Sequence, residues 1–321
     1  MTNDMQIPPN PPIRLALVDY PGVQRSALEG MADMFALLPR LTGAEGTSPL
    51  VDLVIIEAEN LPDRPIDALV FPPSLEPPQA HADHPLVRWA RDRHAEGALA
   101  CSVCAGAFWL GQAGLLEGRP ATTHWALEAG FRAAFPGVAL HPEHILIDDI
   151  DVITAGGLMA WLDLGLHLVG LWFGADLATR LARHLLVDPA GREQRHYAGF
   201  RPSRSHGDAA ILRAQRRMDA DYAEPLTVTD LASHAGLSER SFLRRFQRAT
   251  GLSPAAYLQR LRVEKARGAL ARGGDSTAGI AWAVGYRDPS AFSRAFKAVT
   301  GLSPGAYRDR FRITATRARQ G

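Results

Sequence analysis

Six short apolar runs punctuate residues 13–157, each bounded by charged, proline or glycine positions. IRLALVDY (13–20) closes at Pro21-Gly22. VDLVIIEAE (51–59), IDALVF (66–71), ALACSVC (98–104), ILIDD (145–149) and DVITAGG (151–157) share its form. Runs this short, bounded by turn residues and rich in branched aliphatics, predict strands. SALEGMADMFALL (26–38) and the stretch LMAWLDLGLHLVGLWFG followed by ADLATRLARHLLV read instead as helices. Strands alternating with helices predict an α/β sheet covered on both faces. DPAGREQRHYAGFRPSRSHGD (188–208) is polar, bears Gly and Pro, has no period, and reads as a linker.

Beyond that stretch the pattern turns helical and repeats. FLRRFQRATGLSPAAYLQRLR (242–262) lies over FSRAFKAVTGLSPGAYRDRFR (292–312), fifty positions on, with 12 identities in 21. LASHAG (231–236) and IAWAVG (280–285) precede the two copies. Thr227 to Asp230 is a capping-box start, and Gly236 turns the chain. Ser238 caps the next helix, whose Phe242 and Phe246 fall one turn apart and face inward, and Gly251 stops it. In the second copy Asp288-Pro289 supplies the cap and first turn, Phe292 and Phe296 face the core, and Gly301 ends the helix. A short helix, a glycine turn and a second helix with a basic outer face make a helix-turn-helix. Two are predicted, joined by a helix from Ser253-Pro254 through YLQRLRVEKARGAL. At about 18 residues it would span roughly 27 Å, suited to recognition helices in successive major grooves about 34 Å apart.

Charge sharpens the division. The whole chain is +1, yet residues 201–321 hold 22 Lys and Arg against 10 Asp and Glu, and residues 1–200 hold 13 against 24. An acidic front and a basic back imply two jobs, with a polyanion as partner of the second. On the predicted recognition helices Arg240, Arg244, Arg245 and Arg248 surround the first phenylalanine pair; Ser290, Ser293, Arg294 and Lys297 surround the second. Arginine bonds guanine edges bidentately, whereas serine and lysine bond more permissively or hold phosphate. Any one of these could equally belong to a solvated face.

At 321 residues and 46% hydrophobic content, two soluble globular domains are expected. The opening residues lack the basic and apolar regions of a signal peptide, and the most apolar stretch, 156–173, carries Asp163 and His167. A cytoplasmic protein without a membrane span is expected.

Both cysteines, Cys101 and Cys104, lie in one C-x-x-C. Three extended residues would put their Cα atoms about 10 Å apart, beyond the roughly 7 Å a disulfide allows. Cys101 is therefore read as structural. Cys104 falls where strand gives way to helix, the place where α/β enzymes display a nucleophile, and a helix N-terminus would lower its pKa. His141, Glu143 and His144 form an H-x-x-H without a third ligand, so no metal site and no cofactor are expected.

GYRDPSAFSRAFKAVTGLSPGAYRDRF (285–311) closely resembles the signature of the AraC/XylS family of bacterial transcription regulators, and LASHAGLSERSFLRRFQRATGLSPAAYL resembles that family's first helix-turn-helix. The resemblance covers about 215–313; Thr277 stands where Ile or Val is usual. It implies base reading from Arg240, Leu243 and Arg244, and from Ser290, Ser293 and Arg294. VCAGAFWLGQAGLLEGRPATTHW (103–125), ITAGGLMAWLDLGLHLVG (153–170) and the helix carrying Phe35 resemble the class I glutamine amidotransferase-like, or PfpI-like, domain that precedes an AraC-type domain in one regulator subfamily. That subfamily responds to small metabolites such as arginine, carnitine or glycine betaine.

The resemblance puts Cys104 and His124 on the positions that work together in related hydrolases. Two departures argue against turnover. Pro73-Ser74 replaces the usual Gly-Gly, and proline has no N–H, so one oxyanion donor, worth about 3–4 kcal/mol, is missing. The acidic position falls on Ala27, with Glu29 two residues later. The expectation is a flavodoxin-like, amidotransferase-like α/β sandwich at 12–190, a linker at 191–212 and an all-α domain with two helix-turn-helix motifs at 213–313. DNA contacts are expected from Arg240, Leu243, Arg244, Arg245, Ser290, Ser293, Arg294 and Lys297. Cys104, His124, Trp109 and Trp125 are expected to line a pocket for an amine, betaine or amino-acid effector, where the tryptophans suit a quaternary ammonium unless they are simply core. Double-stranded DNA, RNA polymerase and a second copy in a homodimer are the expected partners of a non-enzymatic activator. The alternative is a cysteine-dependent hydrolase or amidase fused to a DNA-binding domain.

Overall fold

The computed structural model describes residues 12–43, 49–57, 59–76, 78, 80–188 and 192–312. The chain divides into two compact units, Met1–Gln194 and Arg195–Gly321.

The first unit runs β1 (Ile13–Asp19), α1 (Arg25–Ala36), α2 (Leu38–Thr42), β2 (Val51–Glu57), β3 (Ala68–Phe71), α3 (Pro85–Ala95), β4 (Leu99–Val103), α4 (Ala107–Gln112), β5 (Pro120–Ala121), α5 (Glu128–Ala134), β6 (Ala139–Leu140), β7 (Leu146–Asp149), β8 (Val152–Ala155), α6 (Trp161–Phe173) and α7 (Ala175–Leu185). Six strands form one sheet in the order β2-β1-β3-β4-β8-β7. All neighbours are parallel except β7, which runs antiparallel to β8. The two-residue strands β5 and β6 pair separately. They are too short to carry a hydrophobic period and have no counterpart among the expected elements.

Alternation sorts the strand residues between two cores. Leu15, Leu17, Val70, Cys101, Val103 and Ile153 pack with Leu28 and Met31 of α1 and Leu164 and Leu168 of α6. Ala16, Val18, Leu69, Phe71, Ala100 and Val152 pack with Leu86 and Val87 of α3 and Leu110 of α4. Because helices cover both faces, β3 reads as four consecutive buried apolar residues, ALVF, rather than as an alternation. Cys101 lies inside β4, while Cys104 follows its end. Among the described residues no helix is long and apolar enough to cross a membrane.

The second unit contains α8 (Ala209–Ala220), α9 (Val228–Ala235), α10 (Glu239–Thr250), α11 (Pro254–Arg272), α12 (Thr277–Ala283), α13 (Pro289–Thr300) and α14 (Pro304–Phe311). The caps are those the sequence predicts. Thr227 and Asp230 close a reciprocal capping box, Ser238 accepts from the Ser241 N–H, and Asp288 accepts from Ser290 and Ala291. Gly251 and Gly301 end α10 and α13 at φ values of +72° and +78°, a left-handed turn that glycine adopts without strain.

Each helix-turn-helix has its own core. Phe242, Phe246 and Tyr257 centre the first; Phe292, Phe296 and Tyr307 centre the second. The fifty-residue shift preserves their geometry: Phe246–Tyr257 and Phe296–Tyr307 both meet edge-on at 5.3 Å between ring centroids. α11 serves both cores, with Tyr257 and Leu261 in the first and Val263, Ala266 and Leu270 in the second.

Candidate nucleic-acid interface and elbow site

The chain turns sharply at the end of β4. Cys104 takes φ +56°, a left-handed conformation that costs a non-glycine residue roughly 1–2 kcal/mol, and then opens a 3₁₀ turn, Cys104–Gly106, into α4. Gly106 is required there, because a Cβ would collide with the carbonyl oxygens of Phe71 and Pro72. The elbow backbone therefore passes close over the end of β3.

The thiol is enclosed. Cys104 is 3% exposed, and burial pushes its pKa up to about 11, although the backbone N–H groups of Ala105 and Gly157 pull in the opposite direction. The expected lowering by the helix terminus is corrected: desolvation outweighs it, and the group is a neutral thiol at pH 7. The Pro72-Pro73 segment offers the elbow carbonyls rather than donors. Tyr20 Oη donates to Pro72 O at 2.5 Å, and the Gln24 N–H donates to Pro73 O at 2.8 Å. Ala27 is fully buried and Glu29 exposed, so neither puts a carboxylate in the core of this region.

A polar lock adjoins the elbow. Thr123 Oγ1 donates to the Cys104 carbonyl at 2.7 Å. Gln194, 2% exposed, accepts from the Trp125 N–H at 3.0 Å with its carbonyl oxygen. Its amide nitrogen donates to Thr123 O at 2.7 Å and His144 O at 2.9 Å, and lies 3.1 Å from Thr122 Oγ1. Gly156 makes room for that amide. The buried side chain thus gains partners for both of its polar atoms. His124 is half-buried, its Nδ1 accepting from the Ala126 N–H at 3.0 Å and its ring 5.3 Å from that of Trp125.

In the second unit the outer face of α10 presents Arg240, Leu243, Arg244 and Arg248, all exposed. Arg245 is engaged instead with Asp208, the cap of α8, through bonds of 2.9 and 2.6 Å. That pairing holds the Asp208 carboxyl below its usual range. On α13, Ser290, Arg294 and Lys297 are exposed, while Ser293 Oγ donates back to Pro289 O at 2.9 Å.

Residues 38–171 match the DJ-1/PfpI family, and residues 231–310 match a family described as a helix-turn-helix domain. The first unit thus resembles the DJ-1/PfpI family, and the second resembles a helix-turn-helix domain. It is 29% identical to the HTH-type transcriptional regulator GbdR of Pseudomonas aeruginosa, over 58% of this chain and 50% of that one. To the HTH-type transcriptional regulator ArgR of P. aeruginosa it is 33% identical, over 59% of this chain and 58% of ArgR. It thus spans little more than half the length of these curated relatives. The isonitrile hydratase of Pseudomonas putida is 28% identical over 56% of this chain and 80% of the hydratase.

Within the first unit the expected pocket residues separate. Trp109 is 2% exposed, stacked 5.7 Å from Phe71 and edge-on to Tyr20 at 5.3 Å and His84 at 4.9 Å. It is a core aromatic, placed by β-strand and helix packing, rather than an open pocket wall. Cys104 and the Thr123–Trp125 segment do share one region, through the Thr123–Cys104 bond. Among the described residues no group of three or more His, Cys, Asp or Glu could hold a metal ion. Gln194 escaped sequence reading because it sits in a stretch without period, where no pattern marks a buried amide. In the second unit the arginine face was legible, but the commitment of Arg245 to a residue 37 positions upstream was not.

Proposed function

We propose that this protein is a sequence-specific DNA-binding transcription regulator, acting as an activator under control of a small metabolite received by its DJ-1/PfpI domain. The carrying observation is the repeated helix-turn-helix, in which α10 and α13 each back a buried phenylalanine pair and turn an arginine-bearing face outward. α11, with 19 residues, spans about 28 Å, close to the roughly 34 Å between successive major grooves on one face of a duplex. Arg240, Leu243 and Arg244 on α10, and Ser290 and Arg294 on α13, are the base-reading set; Lys297 is a phosphate contact. Arg245 supports α10 from behind. A homodimer in the cytoplasm, engaging RNA polymerase, completes the reading.

The elbow favours reception over turnover. A thiol that ionises only near pH 11 is a poor nucleophile at neutral pH, and Pro73 cannot donate to an oxyanion. Amines, betaines and amino acids are the effector class. The likeness to an isonitrile hydratase and the strained cysteine favour a second reading, a cysteine hydrolase tethered to DNA. Expression controlled by the protein separates them: Cys104→Ala shifts the effector response if the elbow only receives, and abolishes it if chemistry is needed. A gel shift on upstream DNA at rising salt tests the main reading. Binding indifferent to salt, and to Arg244→Ala and Arg294→Ala, would overturn it.

A further inference from the structure

From Arg195 onward, the stretch that reads as a linker belongs to the second unit. Residues 195–200 carry almost no regular secondary structure, yet side chains of α11 hold their backbone at three points. Arg267 donates to the carbonyl of Ala198 and, at 2.9 Å, to that of Arg195; Glu264 accepts from the Phe200 N–H at 2.9 Å. Arg267 is only 5% exposed, lies over the Tyr307 ring at 5.6 Å, and has Glu264 as its acidic neighbour. A buried guanidinium needs acceptors, and the strap's two carbonyls supply them.

The strap also touches both helix-turn-helix cores. Phe200 meets Tyr257 of the first core edge-on at 5.0 Å. At the other end, His196 is 4% exposed and its Nδ1 lies 2.8 Å from the carbonyl of Thr300, the last residue of α13. That carbonyl is among those a helix leaves without an internal partner, so the imidazole caps the second recognition helix. Tyr197 packs on Phe311 of α14 at 5.4 Å.

We propose that Arg195–Phe200 is a positioning strap, latched by Arg267 and His196, that fixes the separation of α10 and α13 and so the spacing between the two DNA segments they read. The inference rests on the DNA-binding reading above. α11 joins the two cores along one line, and Tyr222, packed against both, with Ala223 against Gly285, joins them along another; the strap adds a third line of attachment between the same cores. One base pair inserted between half-sites moves them 3.4 Å apart and turns them by about 35° around the duplex, which a braced pair of helices cannot follow.

The test uses the full chain and duplexes selected by it from a random-sequence pool. Wild type is expected to recover a two-part sequence of single spacing, and one inserted base pair should weaken binding roughly tenfold or more. His196→Ala and Arg267→Met are expected to cut that penalty to about threefold or less while binding to each half alone is kept. His196→Asn, which retains a donor near the Nδ1 position, should restore it. Thermal unfolding run in parallel identifies a variant that has merely lost its fold, and His196→Ala then stands in for Arg267→Met. If the variants discriminate spacing as wild type does, or wild type tolerates the insertion, the strap has no positioning role. Recovery of no enriched sequence by wild type would remove the DNA-binding reading and this inference with it.

Discussion

Arg245 grips Asp208 through two bonds, Nε to Oδ2 at 2.9 Å and a terminal guanidinium nitrogen to Oδ1 at 2.6 Å, and the same carboxylate caps α8 by accepting from the Ala210 and Ile211 N–H groups. One acidic side chain thus starts a helix and anchors the back of a recognition helix. Asp208→Ala removes both roles and is expected to cost about 2 kcal/mol; Asp208→Asn keeps the cap and should cost about 1 kcal/mol or less. Denaturant midpoints of the two variants check the ranking. Equal losses would mean that the ion pair, not the cap, dominates.

The same pair predicts a pH dependence. Hydrogen bonds from Arg245 hold the Asp208 carboxyl below its usual range, so the folded state releases this proton more readily than the unfolded chain. Its stabilisation is complete above the unfolded pKa of about 4 and is lost as pH falls through the lowered folded value. Asp208→Asn should therefore flatten part of the acid limb of a stability-against-pH curve. An unchanged acid limb would show that the contact contributes nothing in solution.

Cys104 supplies the opposite sign. With its pKa raised to about 11 by burial, roughly one molecule in ten thousand carries the thiolate at pH 7. Alkylation of the native protein by iodoacetamide should be very slow at neutral pH and accelerate towards pH 11, while the unfolded chain reacts readily near pH 8.5. Because the folded state keeps its proton across that window, stability contributed by this site falls as pH rises from about 8.5 to 11. Rapid native labelling at pH 7, mapped to residue 104, would restore the case for a nucleophile.

Gln194 makes a sharper structural prediction. Gln194→Ala removes the side-chain acceptor of the Trp125 N–H and a donor from each of the carbonyls of Thr123 and His144, and about 2–4 kcal/mol should be lost from the first unit. Gln194→Glu, although similar in shape, should be worse, because it sets a carboxylate oxygen where the amide nitrogen now donates to two carbonyls. Hydrogen exchange at the Trp125 amide should quicken in both variants. A Glu variant as stable as wild type would show that the amide N–H bonds to these carbonyls contribute nothing in solution.

How much of this could be read from the residues alone follows from which forces leave a periodic trace. Burial does. The apolar runs locate β1 to β4, β7 and β8 within a few residues, and Phe242, Phe246, Phe292 and Phe296 are all fully buried as their spacing implies. Local caps do too, since Thr227–Asp230, Ser238 and Asp288 act on N–H groups only two or three residues away. Long-range polar bonds leave no such trace. The strap is ordered by Arg267 and Glu264, some 64 to 72 residues downstream, and its own residues look like any polar connection. Trp109 shows a related ambiguity: an aromatic suits a pocket or a core equally well until its neighbours Phe71, Tyr20 and His84 are known.

The two recognition helices should contribute unequally to binding. α10 offers Arg240 and Arg244, both exposed, with Leu243 at 41% exposure between them, an apolar group suited to a thymine methyl. α13 offers Arg294, its side chain 74% exposed and 3.9 Å from Asp288, beside two serines of which Ser293 already donates to Pro289 O. Arg244→Ala should therefore cost about 1–3 kcal/mol on the selected duplex and relax base preference at one position, whereas Ser293→Ala should change affinity by less than about 0.5 kcal/mol. Lys297→Ala should weaken binding to all sequences alike and reduce the salt slope by about one. Arg245→Ala belongs to a different class, lowering unfolding stability while leaving base preference intact, because its guanidinium is already held by Asp208. Titration of the four variants against matched and single-substituted duplexes at two salt concentrations separates these effects. A loss of base preference in Arg245→Ala equal to that in Arg244→Ala would show that the Asp208 pair opens when DNA binds.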